Sequence, residues 1–88
     1  MTEKINEEVS VAMIYSAKHK SAVPHLINWQ NTDYKVGKIG YHHKIKDGSI
    51  LHHIFELVDK DNSLWFRINF NTDNLHWLLE EVSDGRPS

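Results

Sequence analysis

The chain has 88 residues, which suffices for one domain with a single core of marginal size. It contains no cysteine, which excludes disulfides, thiolate metal sites and cysteine nucleophiles, and its 40% hydrophobic content with nine aromatic residues excludes a disordered chain. The formal net charge of −2 conceals a basic middle third, because residues 18–46 hold six lysines against Asp33 alone. The chain is also histidine-rich, and protonation of all seven histidines would take its net charge to +5.

The first predicted element is a strand in EVSVAMIYSA, residues 8–17, a continuous apolar run with β-branched residues that suits a central strand. The alternative is a helix that begins after Thr2 as N-cap, because Ile5, Val9 and Ala12 share one helical face. The opening MTEKINEEVS has no basic region followed by an apolar stretch, and no run of about eighteen apolar residues occurs anywhere. We therefore expect a cytoplasmic protein.

The next segment, HLINWQNTDYKVG, predicts a hairpin that turns at residues 31–33. Beyond this hairpin the alternation of apolar residues changes phase between Val36 and Ile39, across Gly37. A glycine bulge at a bend produces such a change, because a bulge adds one residue to a strand and a glycine tolerates the unusual backbone. A bent strand favours a barrel over a flat sheet.

A second hairpin is predicted in YHHKIKDGSILHHIF, residues 41–55. A two-residue turn of Asp47 and Gly48 would send the apolar faces of its two strands to opposite sides of the sheet. We therefore expect a three-residue loop with Gly48 in a bulge, which puts both apolar faces on the core. This register separates the four histidines into an outer cross-strand pair and two core-facing residues. The outer pair is His42 and His52, and the inner residues are His43 and His53.

A third strand should follow the four-residue loop DKDN. A loop of this length would pair Phe55 with Phe66 and keep Ile68 on the core face. Side chains of mixed chemistry then share the outer face of the three strands. They are His42, Lys44, His52, Glu56, Trp65, Arg67 and Asn69.

The final segment, NLHWLLEEVSDG, allows two interpretations. Asp73 or Asn74 suits the N-cap of a helix that ends at Gly85, whereas a closing strand would place Trp77 and Leu79 on the core face.

Residues 24–82 resemble small bacterial all-β domains of uncharacterised function that share a Pro, Trp, Tyr-x-Val pattern. In this chain the pattern is Pro24, Trp29, Tyr34 and Val36, followed by a late HWLLEEV. The resemblance favours the closing strand for the final segment and implies no activity.

These elements together predict an all-β fold, a small barrel of about six short antiparallel strands. The alternative is an α+β arrangement in which a three-stranded antiparallel meander lies between two helices. We expect an N-terminal tail at residues 1–8, a single β-rich domain at 9–83 and a C-terminal tail at 84–88.

The sequence predicts a binding or regulatory module without catalysis. No GxSxG, P-loop, HExxH or dinucleotide-binding glycine pattern occurs, so we expect no catalytic residue and no cofactor. An exposed aromatic residue beside arginine is typical of protein interfaces, which favours a protein partner or a homodimer. The predicted binding residues are Trp65, Arg67, His42, His52, Lys44 and Asn69.

Two other kinds of binding fit the same outer face. Aromatic and basic residues on an open sheet bind single-stranded nucleic acid in small barrels, although the net charge here is negative. Alternatively, His42 and His52 would form a weak divalent metal site with Asn69 beside them. We also expect acid sensitivity from His43 and His53, which should lose stability if protonated while buried.

Overall fold

Six antiparallel strands, paired in chain order, make up the protein in a computed structural model that describes residues 2–84. The first strand pairs with both the second and the sixth, which closes the sheet into a barrel, so the predicted all-β barrel is confirmed. No helix within residues 2–84 has the length and apolar character needed to cross a membrane. The strands are β1 (Thr2–Ser16), β2 (Ser21–Trp29), β3 (Thr32–Asp47), β4 (Ile50–Asp59), β5 (Trp65–Asn71) and β6 (Trp77–Ser83).

The long strand β1 closes the barrel because it pairs with a different neighbour along each half of its length. Its first half pairs with β6 as far as Val9 opposite Trp77, and its second half pairs with β2 from Ser10 onward. Residues 2–8, which the sequence predicts to be a tail, therefore belong to this strand. The final segment is a strand rather than a helix, with Trp77 and Leu79 buried as the strand alternative requires.

Two bulges bend β3. The predicted bulge at Gly37 is confirmed by a shift of the β3–β4 register between Val36 and Lys38. The Gly37 position requires glycine, because a Cβ there would lie 2.7 Å from the backbone oxygen of Asp59. A second shift, between Ile39 and Tyr41, was not predicted from the sequence. This bulge at Gly40 exchanges the faces of all later residues of β3.

The predicted register of β3 and β4 is therefore wrong. The turn consists of two residues, Gly48 and Ser49, with Gly48 at a φ of 63° in the first central position, where a type II′ turn takes glycine. His42 lies opposite Phe55, and His43 lies opposite Ile54. His42 consequently faces inward and His43 outward, the reverse of the prediction, whereas β4 itself has the predicted faces.

The next register, between β4 and β5, differs from the prediction by two residues. Phe55 lies opposite Ile68 rather than Phe66. A shift of two preserves the side on which each residue points, so the core and outer faces of β5 are as predicted. The buried hydrophobic core is formed by Val9, Ile27, Phe55, Leu57, Phe66, Ile68, Trp77, Leu79 and Val82.

Candidate functional site

The barrel opens at one side because β2 and β3 separate. Their pairing runs only from Trp29 opposite Thr32 to Leu26 opposite Lys35. Beyond these residues β2 pairs only with β1 among the described strands. Strand β3 pairs only with β4 as far as Asp47, within the part of the chain that the structure describes. The separation leaves a cleft between two hairpins.

This cleft, which we call the mouth cleft, has a volume of about 530 Å³ and an aromatic floor. The floor consists of core side chains, with the rings of Phe70 and Trp77 4.6 Å apart and those of Phe55 and Trp77 5.8 Å apart. The volume of the cleft and its mostly apolar lining lie in the range that is typical of small-molecule sites. The lining residues are Met13, Ser21, Ala22, Val23, His42, Lys44, His53, Phe55, Phe70 and Trp77.

Two histidines and a lysine provide the polar groups of the mouth cleft. His42 Nε2 lies 2.9 Å from His53 Nδ1, and the ring of His42 stacks on Phe55 at a centroid distance of 4.1 Å and an interplanar angle of 6°. Lys44 is the direct cross-strand neighbour of His53. The stacking and the hydrogen bond fix both imidazoles against the wall of the cleft.

The surroundings of these two imidazoles favour their neutral form. Desolvation by burial lowers the pKa of His42 and of His53 from the usual 6.5, and the positive charge of Lys44 lowers both pKa values further. The hydrogen bond between the rings uses one proton, so the neutral pair retains one N–H and one bare ring nitrogen in either tautomer. The lining of the cleft thus includes two donor groups, the ammonium of Lys44 and the imidazole pair.

Four predicted binding residues lie on the outer face of the barrel, and three of them belong to one network of hydrogen bonds and ion pairs that includes two glutamates. Arg67 contacts Glu56 at 3.1 Å and Glu80 at 2.9 Å, with its side chain mostly buried. Asn69 donates to Glu80 and accepts from His52 Nδ1 at 2.8 Å, which fixes the tautomer of His52. Trp65 is half-buried beside this network.

The remaining two predicted residues, His42 and Lys44, lie instead on the inner face at the mouth cleft. The predicted cross-strand pair of His42 and His52 is therefore wrong, because the two rings point to opposite faces of the sheet. Within residues 2–84, no group of three or more His, Cys, Asp or Glu side chains is arranged to hold a metal ion.

A ribbon of two strands, residues 13–16 of β1 and 21–24 of β2, forms the other wall of the cleft. Consecutive large apolar side chains of this ribbon are exposed, with Ile14 at 48% and Tyr15 at 65%. The ladder of β1 with β6 ends at Val9, so residues 10–16 pair on their β2 side only, within the described chain. The sequence predicts this run to be a central strand, and that prediction missed its open edge.

Comparison with protein families, with curated proteins and with solved structures gives no match for this chain. Its function is therefore argued from the site geometry.

Proposed function

We propose that this protein is a small cytoplasmic binding module that associates with a second copy of itself through the open edge of β1. The observation that carries the proposal is the composition of that edge. Residues 10–16, SVAMIYS, contain no charged residue and no proline, and they expose Ile14 and Tyr15 to solvent. Native proteins normally protect such an edge from pairing with another strand.

The neighbouring edge of β3 has that protection. Residues 36–47 carry the bulges at Gly37 and Gly40, which bend the edge, and three lysines. If β3 paired with β3 of a second copy around a two-fold axis, these lysines would come close together. The repulsion between their like charges would destabilise that pairing. The lysines are Lys38, Lys44 and Lys46. No charges oppose the same pairing along residues 10–16.

A further strand would also stabilise the ribbon where it extends beyond the rest of the barrel. A two-stranded ribbon is marginally stable in water, and three or more strands are needed for independent stability. Antiparallel pairing of β1 with β1 of a second copy would convert two ribbons into one four-stranded sheet. A two-fold axis makes this contact self-limiting, because each copy uses the same edge.

Sedimentation velocity between about 1 and 200 µM protein tests the proposal. We expect dimers at the upper end of the range and dissociation on dilution. In Ile14→Lys the dissociation constant should rise about 100-fold, because each copy then places an ammonium group in the interface, close to that of the other copy. Ile45→Lys is the matched control, since Ile45 is 41% exposed on β3 and should leave the dimer intact.

A monomer throughout the concentration range would contradict the proposal. So would equal weakening by Ile14→Lys and Ile45→Lys, because that result would assign the effect to net charge rather than to the β1 edge. Circular dichroism melting of both variants checks that each remains folded.

A further inference from the structure

We infer that the mouth cleft binds a small monocarboxylic acid with an apolar body, whose carboxylate contacts Lys44 and the His42–His53 pair. The two sites use different groups of the ribbon. The cleft is lined by side chains, with Met13 of β1 among them, whereas pairing with a second copy would use the backbone groups of the open β1 edge. The inference therefore does not depend on self-association.

The shape and lining of the cleft account for the apolar body of the ligand. Phe70 and Trp77 form an aromatic floor, and Met13 and Ala22 lie on the facing wall. Met13 is 39% exposed, so a bound alkyl or aryl group would cover apolar surface that now faces water. A volume of about 530 Å³ holds a drug-sized molecule and is too small for a folded partner.

The polar groups of the cleft account for the carboxylate. Lys44 brings a positive charge, and the neutral imidazole pair retains one N–H that is not used between the rings. A carboxylate has two oxygens, so it can accept from both donors at once, and charge-assisted hydrogen bonds of this kind are the strong ones. No acidic residue lines the cleft within the described chain.

The turn beside the cleft has the same sign of charge. Lys18 and Lys20 lie in the turn between β1 and β2, next to the cleft residue Ser21. These two lysines add positive charge to the turn that leads into the cleft, and positive charge attracts anions. An amine with the same apolar body would meet the ammonium group of Lys44 and should be rejected.

Titration of octanoate into the protein, followed through the methyl signal of Met13, tests the inference. The chain has two methionines, Met1 and Met13, which makes this signal simple to assign. We expect saturable shifts with a dissociation constant on the order of 0.1 to 1 mM for a ligand of this size. Octan-1-ol should bind more weakly than octanoate, and octylammonium should bind most weakly.

The variant Lys44→Gln should weaken octanoate binding about tenfold and leave octan-1-ol binding unchanged. Lys38→Gln is the matched control, because Lys38 lies on the same strand but does not line the cleft. It should bind octanoate like the wild type.

Absence of a Met13 shift would overturn the inference, and so would equal affinities for octanoate, octan-1-ol and octylammonium. Equal weakening by Lys44→Gln and Lys38→Gln would also overturn it, because the attraction would then come from net charge. His42→Gln gives a second reading, since it removes the ring pair but keeps Lys44, and it too should weaken octanoate binding and not octan-1-ol binding.

Discussion

His42 and His53 should make the fold sensitive to acid. Desolvation by burial lowers the pKa of both imidazoles, so the folded chain binds their protons more weakly than the unfolded chain does. The folded state loses nothing from these two groups above the pKa of 6.5 that they have in the unfolded chain. As the pH falls through 6.5 toward their folded pKa, the unfolded chain takes up protons first and the free energy of unfolding decreases. We expect the melting temperature to fall between about pH 7.5 and 5.

The double variant H42Q/H53Q provides the comparison for this pH dependence. Its melting temperature should fall by less than that of the wild type over the same pH range, because the variant lacks the two imidazoles whose pKa is lowered. Parallel curves for the two proteins would show that other groups cause the acid sensitivity. The sequence predicts such sensitivity for His43 and His53, and the structure gives a lowered pKa for His53 and for His42.

Asp59 stabilises the turn between β4 and β5. Its buried carboxylate accepts hydrogen bonds from the backbone N–H of Ser63 and Leu64 and from the hydroxyl of Ser63. Burial alone raises the pKa of Asp59, but these hydrogen bonds outweigh it and lower the pKa below its usual value. The carboxylate is therefore the form that holds the turn.

Replacing Asp59 with alanine should destabilise the protein by about 1–3 kcal/mol, because several donors lose a partner that is buried with them. Urea unfolding at pH 7 measures the change. Asp61→Ala, an exposed residue of the same turn, is the control and should change stability by less than about 0.5 kcal/mol. Equal effects of the two variants would contradict the assigned role of Asp59.

At the scale of the strand, β3 shows which features the sequence could predict. The phase change across Gly37 is visible in the sequence because the alternation of apolar residues is interrupted between Val36 and Ile39. The bulge at Gly40 is not visible, because Ile39, Tyr41 and Ile45 continue an unbroken alternation. Tyr41 and Ile45 are 47% and 41% exposed, so the tertiary structure overrides that pattern. The candidate site was misassigned for this reason, since His42 and Lys44 follow the second bulge.

The two glycine bulges of β3 should respond differently to alanine. A Cβ at Gly37 would approach the backbone oxygen of Asp59 to 2.7 Å and Cα of Lys60 to 2.9 Å, and backbone atoms cannot easily move away. We expect Gly37→Ala to lower the free energy of unfolding by about 1–3 kcal/mol. Gly40→Ala is the control, because its nearest contact is an ordinary 3.7 Å.

Urea unfolding of both variants compares these bulges directly. A Gly40→Ala effect as large as that of Gly37→Ala would show that backbone conformation, rather than close packing on Asp59, determines the choice of glycine in β3.

At the scale of the whole molecule, the two proposed binding surfaces lie where two ladders of the barrel end. The separation of β2 from β3 opens the mouth cleft, and the end of the β1–β6 ladder at Val9 leaves residues 10–16 as an unprotected edge. A strand order alone does not reveal this separation, because β2 and β3 remain neighbours along the chain and in the barrel.

Backbone amide hydrogen exchange of residues 10–16, measured at low and high protein concentration, tests the central claim most directly. Alternate amides of an antiparallel strand point to opposite sides, so about half of those in residues 10–16 point away from β2. We predict that these amides become protected only at high protein concentration. In residues 41–47 of β3, the amides that point away from β4 should exchange rapidly at both concentrations. Equal exchange rates of residues 10–16 at both concentrations, or new protection confined to β3, would contradict the account.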